Sequence, residues 1–372
     1  MRIVVTGSEG FIGRNLCLRL KEKEQYQVLG ISRETTKEQA SLLLSQADFV
    51  FHLAGVNRPK GLDTFQNGNV DLTSYVVKTL EGHGRHVPLV LSSSTQVKQD
   101  NQYGKSKLAA EKDVKDYSKR TGAPHYIYRL PNVFGKWCKP NYNSFVATFC
   151  YNVMHGIELS IDDASAEVTL VSIDDVCESF LELLSEMPNS NYPVAHPEYS
   201  TTVGEVAALI SSFKSSRDNL IVESVGTGLT RLLYSTFLSY APTERFSYSI
   251  PSHVDERGMF CEMLKTRDSG QLSFFTAHPG ITRGGHYHHT KTEKFLVIKG
   301  SARFRFRHVL TNEEFSIDTS DKTPMIVETV PGWSHDITNN GDDDLMVMLW
   351  ANELFDHDKP DTIESIIDNE KT

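Results

Sequence analysis

Three histidines and a glutamate lie close together in the stretch HYHHTKTE. His286 and His288 are two positions apart, so on a β-strand both imidazoles lie on one face and can bind one ion. Glu293 follows seven residues after His286, so the turn between them must shift the alternation for its carboxylate to join the pair. His335, near the end of a distant strand in PGWSH, is the fourth candidate ligand. This set suits Zn, Fe, Ni or Mn, and the sequence does not choose among them.

An exposed histidine run without a metal is the alternative interpretation of this stretch. His289 is an odd number of residues from both His286 and His288, so in a β-strand its side chain alternates to the other side. We therefore expect His289 on the other face of the strand, as a base or as a merely exposed residue rather than a ligand.

A glycine-rich turn lies near the start of the sequence, in TGSEGFIG. Gly7, Gly10 and Gly13 follow the strand pattern RIVVTG and precede a helical pattern. Glycines at this place permit a tight turn and let backbone N–H groups approach a pyrophosphate at the N-terminus of the helix. The pattern predicts a dinucleotide site.

The end of the second predicted strand distinguishes NAD from NADP. NAD sites usually have an acidic residue there, which binds the 2′-hydroxyl of the ribose. Here GISRE has Ser32 and Arg33, with Glu34 one position later. A cation suits a 2′-phosphate, so we predict NADPH; the alternative is that Arg33 is an ordinary surface arginine. The predicted cofactor-binding residues are Gly7, Gly10, Phe11, Ile12, Gly13, Ser32, Arg33, Leu53, Ala54, Tyr103 and Lys107.

Tyr103 and Lys107 are four positions apart in QYGKSKLAAE and share one face of a predicted helix. An ammonium beside a phenol favours the phenolate, so we expect Lys107 to lower the phenol pKa from about 10 toward neutrality. A tyrosine tuned in this way can protonate an alkoxide as a hydride arrives. The serines of LVLSSS lie at the carboxyl end of the preceding strand, where open α/β sheets bind ligands.

Together these motifs resemble the extended short-chain dehydrogenase/reductase family, in its nucleotide-sugar branch. The resemblance spans roughly residues 1–210, through TGSEGFIG, ADFVFHLAG, LSSSTQV, YGKSK, RLPNVFG and VSIDDV. It implies that Tyr103 is the general acid, that Lys107 tunes it and holds the nicotinamide ribose, and that Ser94 hydrogen-bonds the substrate carbonyl. Because only the short tract 95–102 separates the serines from Tyr103, Ser92 and Ser93 stay open as alternatives to Ser94.

The histidine stretch resembles the first motif of the cupin family. Gly280, the His286–His288 pair, Glu293 and Gly300 have the spacing of that motif. PGWSHDITN resembles the second motif, through Gly332, His335 and Asn339. The resemblance covers about residues 250–360, and it implies a divalent metal, zinc first among the candidates, held by His286, His288, Glu293 and His335.

The alternation of elements predicts two domains of different class. Strand and helix patterns alternate over the first 180 residues, which predicts a doubly wound parallel sheet of the Rossmann type. From Phe246 onward short strands and turn signals, among them Glu256-Arg257-Gly258, predict an all-β barrel or jelly roll, and the resemblance to cupins implies the cupin jelly-roll barrel. We expect an NADP-binding dehydrogenase/reductase domain over 1–245 and a metal-binding cupin domain over 246–372. The segment after residue 213 is the expected junction, and the helix in TVGEVAALISSFK is expected to lack an ideal cap.

Composition excludes several partners and locations. The length of 372 residues favours two domains, and a net charge of −10 argues against a nucleic-acid partner. The five cysteines are scattered without a CxxC pair, so no disulfide framework is expected. The sequence shows no signal-peptide pattern and no run of about 20 apolar residues. We therefore expect a cytoplasmic protein that does not insert into membranes.

A nucleotide-sugar reductase joined to a cupin is similar to bifunctional enzymes of bacterial capsular polysaccharide (N-acetylfucosamine) synthesis. This resemblance implies the substrate UDP-2-acetamido-2,6-dideoxy-4-hexulose. The cupin would epimerise C3, and the N-terminal domain would then reduce the C4 ketone with NADPH to UDP-2-acetamido-2,6-dideoxy-talose. By analogy with both families we expect a homodimer. Candidate acids and bases of the epimerisation are His278, Tyr287, His289, Lys291 and His308.

Three other functions remain open at this point. The chain could be a UDP-sugar 4-epimerase or dehydratase with a structural, dimerising cupin, although SSSTQV lacks the acidic pair that a dehydratase would usually have beside its catalytic hydroxyl. The cupin could be an independent metal oxygenase, because the same ligands bind iron. The whole chain could also be an inactive ligand-binding regulator. Stoichiometric NADPH consumption and oxygen uptake separate these functions.

Overall fold

The computed structural model describes residues 1–58, 65–250, 253–255, 258–260, 264–266, 270–353 and 358–367. Two residues of the predicted turn Glu256-Arg257-Gly258, Glu256 and Arg257, lie outside these ranges, as does Cys261. No helix of the described residues has the length and apolar content to cross a membrane. The helices are α1 (Phe11–Lys21), α2 (Lys37–Ser45), α3 (Leu72–Gly82), α4 (Gln102–Thr121), α5 (Phe145–His155), α6 (Ile173–Ser185), α7 (Val203–Asn219) and α8 (Gly228–Leu238).

The chain divides into two compact units, and each unit consists of several separate segments. The first consists of Met1–Phe134, Asn141–Ser144 and Glu167–Thr201, and the second of Gly135–Pro140, Phe145–Ala166 and Thr202–Thr372. The domain boundary at 245/246, which rests on the sequence motifs, stays a prediction.

The first unit is built on a parallel sheet of five strands in the order β2-β1-β3-β4-β5. Its strands are nearly continuous apolar runs because helices cover both faces. Val4 and Val50 belong to one buried cluster and Ile3 and Phe51 to the other, so successive residues of a strand face opposite layers. The strands are β1 (Arg2–Thr6), β2 (Gln27–Ile31), β3 (Phe49–His52), β4 (Leu89–Ser94) and β5 (His125–Leu130).

A second, smaller sheet follows in the order β6-β7-β8, formed by β6 (Asn132–Phe134), β7 (Glu167–Ser172) and β8 (Glu198–Thr202). The predicted strand HYIYRLPNVFG is therefore split between two sheets, with the break at Pro131. Proline has no N–H for a sheet ladder, which explains the break.

The second unit contains two antiparallel sheets of five strands, in the orders β10-β19-β16-β21-β14 and β18-β17-β20-β15-β22. Phe295 and Val347 of the first sheet pack on Phe304 and Ile337 of the second. This is the all-β arrangement predicted for the C-terminal part, and the predicted fold class is confirmed. The strands of these sheets are β10 (Ser247–Ser249), β14 (Gln271–Ala277), β15 (Thr282–Tyr287), β16 (Glu293–Lys299), β17 (Ser301–His308), β18 (Glu314–Ser320), β19 (Met325–Glu328), β20 (Trp333–Asn339), β21 (Leu345–Ala351) and β22 (Ile363–Glu364). Two further two-stranded sheets are formed by the short strands β9 (Ile221–Val222) with β13 (Lys265–Thr266) and β11 (His253–Asp255) with β12 (Gly258–Phe260).

The start of α7 corrects one expectation. Thr202 is an ideal N-cap: its hydroxyl accepts from the N–H of Glu205 at 3.2 Å, and the Glu205 carboxylate accepts from the N–H of Thr202 at 2.9 Å. This reciprocal pair is a capping box, whose sequence pattern T-x-x-E is present in TVGE. The expected junction is also more regular than predicted, because α7 continues to Asn219 and α8 follows.

A buried ion trio joins α7 to the barrel. The carboxylate of Glu328 on β19 contacts Lys294 on β16 and, at 2.5 Å, Arg217 on α7. All three side chains are nearly or fully buried, and Lys294 also donates to the Tyr248 hydroxyl at 2.9 Å. Lys294 follows Glu293 directly, so the trio holds the strand that begins with this candidate ligand.

Candidate active sites

The glycine turn after β1 has the geometry that the sequence predicts. Gly7 has a positive φ of 70°, and a Cβ there would lie 2.8 Å from the Cα of Ala54. A Cβ on Gly13 would lie 2.0 Å from the carbonyl oxygen of Gly7, and Gly10 N–H donates to the same oxygen at 2.8 Å. The turn is thus packed so closely that neither Gly7 nor Gly13 leaves room for a side chain.

The N-terminus of α1 is exposed to an incoming anion. Gly10 is its N-cap without a side-chain hydrogen bond, and its first turn, all of it described, has no acidic residue. The backbone N–H groups of Phe11 and Ile12 begin the helix beside the turn. Such a terminus suits a pyrophosphate, because the unpaired N–H groups and the helix dipole both favour negative charge.

Two further predicted segments lie at the carboxyl ends of neighbouring strands. Leu53 and Ala54 follow β3 and donate to the backbone and hydroxyl oxygens of Thr6, each at 3.2 Å. Ser32 and Arg33 follow β2; the Ser32 hydroxyl accepts from the Glu34 N–H at 3.2 Å, and Arg33 is exposed. The sheet therefore brings the predicted cofactor residues to one edge.

Lys107 is buried on α4, and its Nζ donates to the Ser92 carbonyl at 3.0 Å. Burial lowers the pKa of Lys107 to about 8. Its Nζ lies 5.9 Å from the centroid of the Tyr103 ring. The ammonium is thus held between the serine strand and the tyrosine, as the YxxxK spacing predicts.

The tyrosine behaves differently from the expectation. Burial raises the pKa of Tyr103 to about 12, although a hydrogen bond with Ser94 lowers it in part. The prediction that Lys107 brings this pKa toward neutrality is wrong for the protein alone, because the loss of hydration outweighs other effects on the phenol. Tyr103 is therefore a protonated donor at neutral pH.

The three serines of β4 have separate partners. Ser93 donates its hydroxyl proton to Glu111 at 2.6 Å, whereas the Ser92 carbonyl accepts from Lys107. Ser94 lies beside the Tyr103 phenol and also accepts from the Gln96 N–H at 3.2 Å. The alternation of the strand thus turns Ser94, not Ser93, toward the tyrosine.

Glu111 is a site residue that the sequence interpretation missed. Its side chain is fully buried and accepts two hydrogen bonds from Arg129, at 2.9 and 2.7 Å, besides that from Ser93. Burial alone would raise the pKa of Glu111, but Arg129 and Ser93 hold it below the usual value. Its position four residues after Lys107 places Tyr103, Lys107 and Glu111 along one helix face, and this spacing was the available signal.

The barrel brings the four predicted metal ligands together. Nitrogen and carboxylate atoms of His286, His288, Glu293 and His335 all lie within 4.8 Å of one another. His286 on β15 is the register partner of His335 on β20, next to a β-bulge between Gly284 and His286. A Cβ on Gly284 would lie 2.9 Å from the His335 carbonyl, so this glycine permits the close strand approach.

Hydrogen bonds at the far ring nitrogens set the tautomers of two histidines. Nδ1 of His288 contacts the carbonyl oxygen of Asp361 and Nδ1 of His335 lies 3.4 Å from that of Trp333, so each Nδ1 is the donor. Both Nε2 atoms then face Glu293 Oε2: His288 Nε2 donates to it at 3.0 Å, in the place that a metal would take, and His335 Nε2 lies 3.4 Å from it. His335 Nε2 is buried and makes no hydrogen bond to any described residue. This donor set fits a divalent metal.

The charges of the cluster also fit a cation. Burial lowers the pKa of His286 to about 3, with His335 and His288 acting in the same direction. Burial raises the pKa of Glu293, but His288 and His335 outweigh it and the net pKa is well below the usual value. His286 is therefore neutral and Glu293 ionised at neutral pH, which are the protonation states that bind metals.

The candidate acids and bases of the barrel have different surroundings. His289 is 3% exposed, so the alternative that it is merely exposed is wrong. Lys291 Nζ lies 3.0 Å from Glu293 Oε1, and the buried Tyr287 packs on His289 with ring centroids 5.5 Å apart. His278 is largely exposed and pairs with Asp344 at 2.7 Å, and His308 Nδ1 accepts backbone N–H groups of its own turn.

Comparison with known proteins matches both halves of the chain. Residues 3–195 match the model of the NAD dependent epimerase/dehydratase family, and residues 253–363 match the polysaccharide biosynthesis C-terminal domain. The UDP-2-acetamido-2,6-beta-L-arabino-hexul-4-ose reductase of Pseudomonas aeruginosa is 53% identical over 97% of this chain and 98% of its own length.

Solved structures show the same architecture. The capsular polysaccharide assembling protein CapF from Staphylococcus aureus has a TM-score of 0.69 and 40% identity, with 99% of this chain and 100% of that chain covered. A UDP-glucuronic acid 4-epimerase from Bacillus cereus, in complex with NAD, has a TM-score of 0.53 and 19% identity over 58% of this chain and 84% of that chain, which shows the fold alone. The resemblance predicted from the sequence is thus confirmed, and the chain is an enzyme of the NAD dependent epimerase/dehydratase family that also has a polysaccharide biosynthesis C-terminal domain.

Proposed function

We propose that this chain is a bifunctional enzyme of capsular polysaccharide synthesis, in the route to N-acetylfucosamine. Its substrate is UDP-2-acetamido-2,6-dideoxy-4-hexulose, which the barrel epimerises at C3 and the first unit reduces at C4 with NADPH to UDP-2-acetamido-2,6-dideoxy-talose. The observation that carries the proposal is the presence of Ser94, Tyr103 and Lys107 on the same chain as a buried His₃–Glu cluster. The named activity of the Pseudomonas relative supports the substrate class.

In the reduction, Tyr103 gives its proton to the oxygen at C4. Bound NADPH supplies the hydride. The raised pKa of Tyr103 keeps the phenol protonated, and the Ser94 hydroxyl beside it is placed to donate to the same ketone oxygen. Lys107 adds a buried positive charge that stabilises the alkoxide as it forms.

In the epimerisation, His286, His288, Glu293 and His335 would hold a divalent metal, with zinc the first candidate. The chemistry that such a metal would supply is Lewis-acid stabilisation of negative charge on the ketone oxygen, which would make the neighbouring C3 proton more acidic. Among the acid and base candidates, Lys291 is favoured because its Nζ lies 3.0 Å from Oε1 of the candidate ligand Glu293. Reduction removes the ketone and with it the acidity of the C3 proton, so epimerisation comes first.

We also propose a homodimer and a cytoplasmic location. The support for a dimer is the outer face of β14, an edge strand on which Leu272 is 59% and Phe274 68% exposed. Large exposed apolar side chains on a sheet edge are typical of an interface.

The first test is proton exchange at C3. The chain is incubated with the 4-keto sugar nucleotide in D₂O without NADPH, and proton NMR follows the C3 signal. We expect the signal to disappear, and His288→Ala to slow its loss at least about 100-fold, because stabilisation of the enolate oxygen is lost. Tyr103→Phe should still exchange the proton but consume no NADPH.

Two results would contradict this assignment. A persistent C3 signal with continued NADPH consumption would make the chain a plain ketoreductase with a structural barrel. Turnover without stoichiometric NADPH consumption would indicate a 4-epimerase, which returns its hydride.

Arg33 is the test of cofactor choice. Arg33→Ala should raise the KM for NADPH about 10- to 100-fold, since charge-assisted hydrogen bonds to the 2′-phosphate are lost. The KM for NADH serves as the internal control and should stay nearly constant. An equal effect on both cofactors would show that Arg33 does not contact the 2′-phosphate.

The pH dependence of reduction tests the roles of Lys107 and Glu111. Lys107 is charged below its pKa of about 8 and loses its charge as the pH rises through it, so NADPH consumption should fall there. The Glu111 carboxylate raises that pKa. Glu111→Gln should therefore move the alkaline limit of kcat/KM to lower pH by about one unit.

Two variants control this experiment. Glu81→Gln removes the partner of Arg120, which lies on the same helix as Lys107, and should leave the pH profile unchanged. Lys107→Arg keeps its charge at all accessible pH values and should move the alkaline limit upward. The assignment fails if the alkaline limit is the same in wild type, Glu111→Gln and Lys107→Arg.

Light scattering tests the dimer. The mass should be twice the 41.8 kDa of one chain. Phe274→Glu should shift the protein toward the monomer, because a charge replaces an apolar contact. Leu42→Glu is the control, since Leu42 is 60% exposed on α2 of the first unit. A monomeric wild type would refute the dimer.

A further inference from the structure

A short C-terminal segment lies along the metal-binding strand of the barrel. We call residues 358–367 the C-terminal strap. Its strand β22 pairs with β15, so that Glu364 is opposite His286 and Ile363 opposite Tyr287. The N–H of Ser365 donates to the Gly285 carbonyl at 2.8 Å. The strap is thereby joined to the strand that contains two candidate ligands.

One strap residue, Asp361, directs its carboxylate at the turn between β15 and β16. Oδ1 accepts from the His289 N–H at 2.8 Å. Oδ2 accepts from the N–H groups of Thr290 and Lys291, both at 2.7 Å, and from the Thr290 hydroxyl at 3.0 Å. Three successive backbone N–H groups thus converge on one carboxylate, an arrangement that fixes the backbone of the turn.

The backbone of the same residue contacts the metal cluster directly. The carbonyl oxygen of Asp361 accepts from Nδ1 of His288, and this contact orients the ring so that Nε2 faces Glu293. A second-layer carbonyl of this kind sets both the tautomer and the ring orientation of a metal-binding histidine.

The turn between β15 and β16 must hold a defined backbone conformation because side chains alternate between the two faces of a strand. Glu293 follows His286 by seven residues, so an uninterrupted strand would place the two on opposite faces. Asn352, the residue after β21, holds the end of the turn through two hydrogen bonds with Thr292, each of 3.0 Å. Its middle, residues 289–291, is the part that the Asp361 carboxylate holds.

We propose that Asp361 is a positioning residue for the metal: it fixes the 289–291 turn so that Glu293 joins His288 in one ligand set. This inference rests on the metal site of the proposed function and assigns the C-terminal strap to it. Asp361 itself is not a ligand, because its carboxylate oxygens are occupied by donors of the turn.

The test measures metal affinity separately from activity. The full-length chain is stripped of metal, and Zn²⁺ is titrated against a chromophoric chelator. Asp361→Asn keeps the side-chain volume but places an amide against N–H groups that need an acceptor, and it should weaken Zn²⁺ binding about 10- to 100-fold. Asp361→Ala should have an equal or larger effect.

Matched variants and a spectrum separate positioning from general stability. Glu364→Gln removes an exposed carboxylate from the same strap and should bind Zn²⁺ as the wild type does. Far-UV circular dichroism of the metal-free proteins shows whether each variant is folded. If Asp361→Ala does not fold, the result of the Asp361→Asn protein alone tests the positioning role. The visible absorption of the Co²⁺-loaded Asp361→Asn protein should differ from that of the wild type, because a ligand has moved.

Two outcomes are distinguishable. If wild type binds Zn²⁺ and folded Asp361→Asn binds it with the same affinity and the same Co²⁺ spectrum, the positioning role is refuted while the metal site stands. If the wild type itself binds neither ion, the metal site of the proposed function is refuted, and the inference with it.

Discussion

A carboxylate that leaves water loses a large hydration free energy, which only donors placed around it replace. Both candidate sites depend on meeting this requirement. Glu111 is surrounded by Arg129 and Ser93, and these contacts hold β4, with its serines, against the helix of Tyr103 and Lys107. In the barrel Glu293 lies among histidines, and Asp361 among backbone N–H groups. In each case a costly charge makes one local arrangement strongly preferred over others.

Burial also gives Tyr103 and Lys107 of the reductase site different roles, because it shifts their pKa values in opposite directions. The same removal from water moves the pKa of Tyr103 upward and that of Lys107 downward, because one group is charged when it loses a proton and the other when it gains one. The lysine, rather than the tyrosine, is therefore the group whose charge changes near physiological pH. The phenol remains a proton donor throughout that range, which suits a reduction in which the ketone oxygen gains a proton.

Sequence patterns predicted the parts of the sites whose residues are neighbours along the chain. The glycine turn, the Tyr103–Lys107 pair and the His286–His288 pair follow from local periodicity and from strong steric rules for glycine. The sequence did not predict the supporting residues Asp361 and Glu111 because their partners are distant along the chain. Asp361 lies 70 to 73 residues from the residues that it contacts, and Arg129 lies 18 residues beyond Glu111. No periodicity encodes such pairings. The pKa of Tyr103 was misjudged for the same reason, since burial depends on the whole fold.

The two units interleave along the chain. It passes from the first unit to the second after Phe134, returns at Asn141, leaves after Ser144, returns at Glu167 and leaves again after Thr201. A chain ending near residue 201 would leave 135–140 and 145–166 without the segments on which they pack. A laboratory chimera joined near residue 201 therefore divides the second unit, whereas a join near residue 246 keeps every strand of its two five-stranded sheets on one side. The candidate metal ligands thus lie on one continuous stretch of chain, whereas no single join separates the helices of the second unit from the first unit.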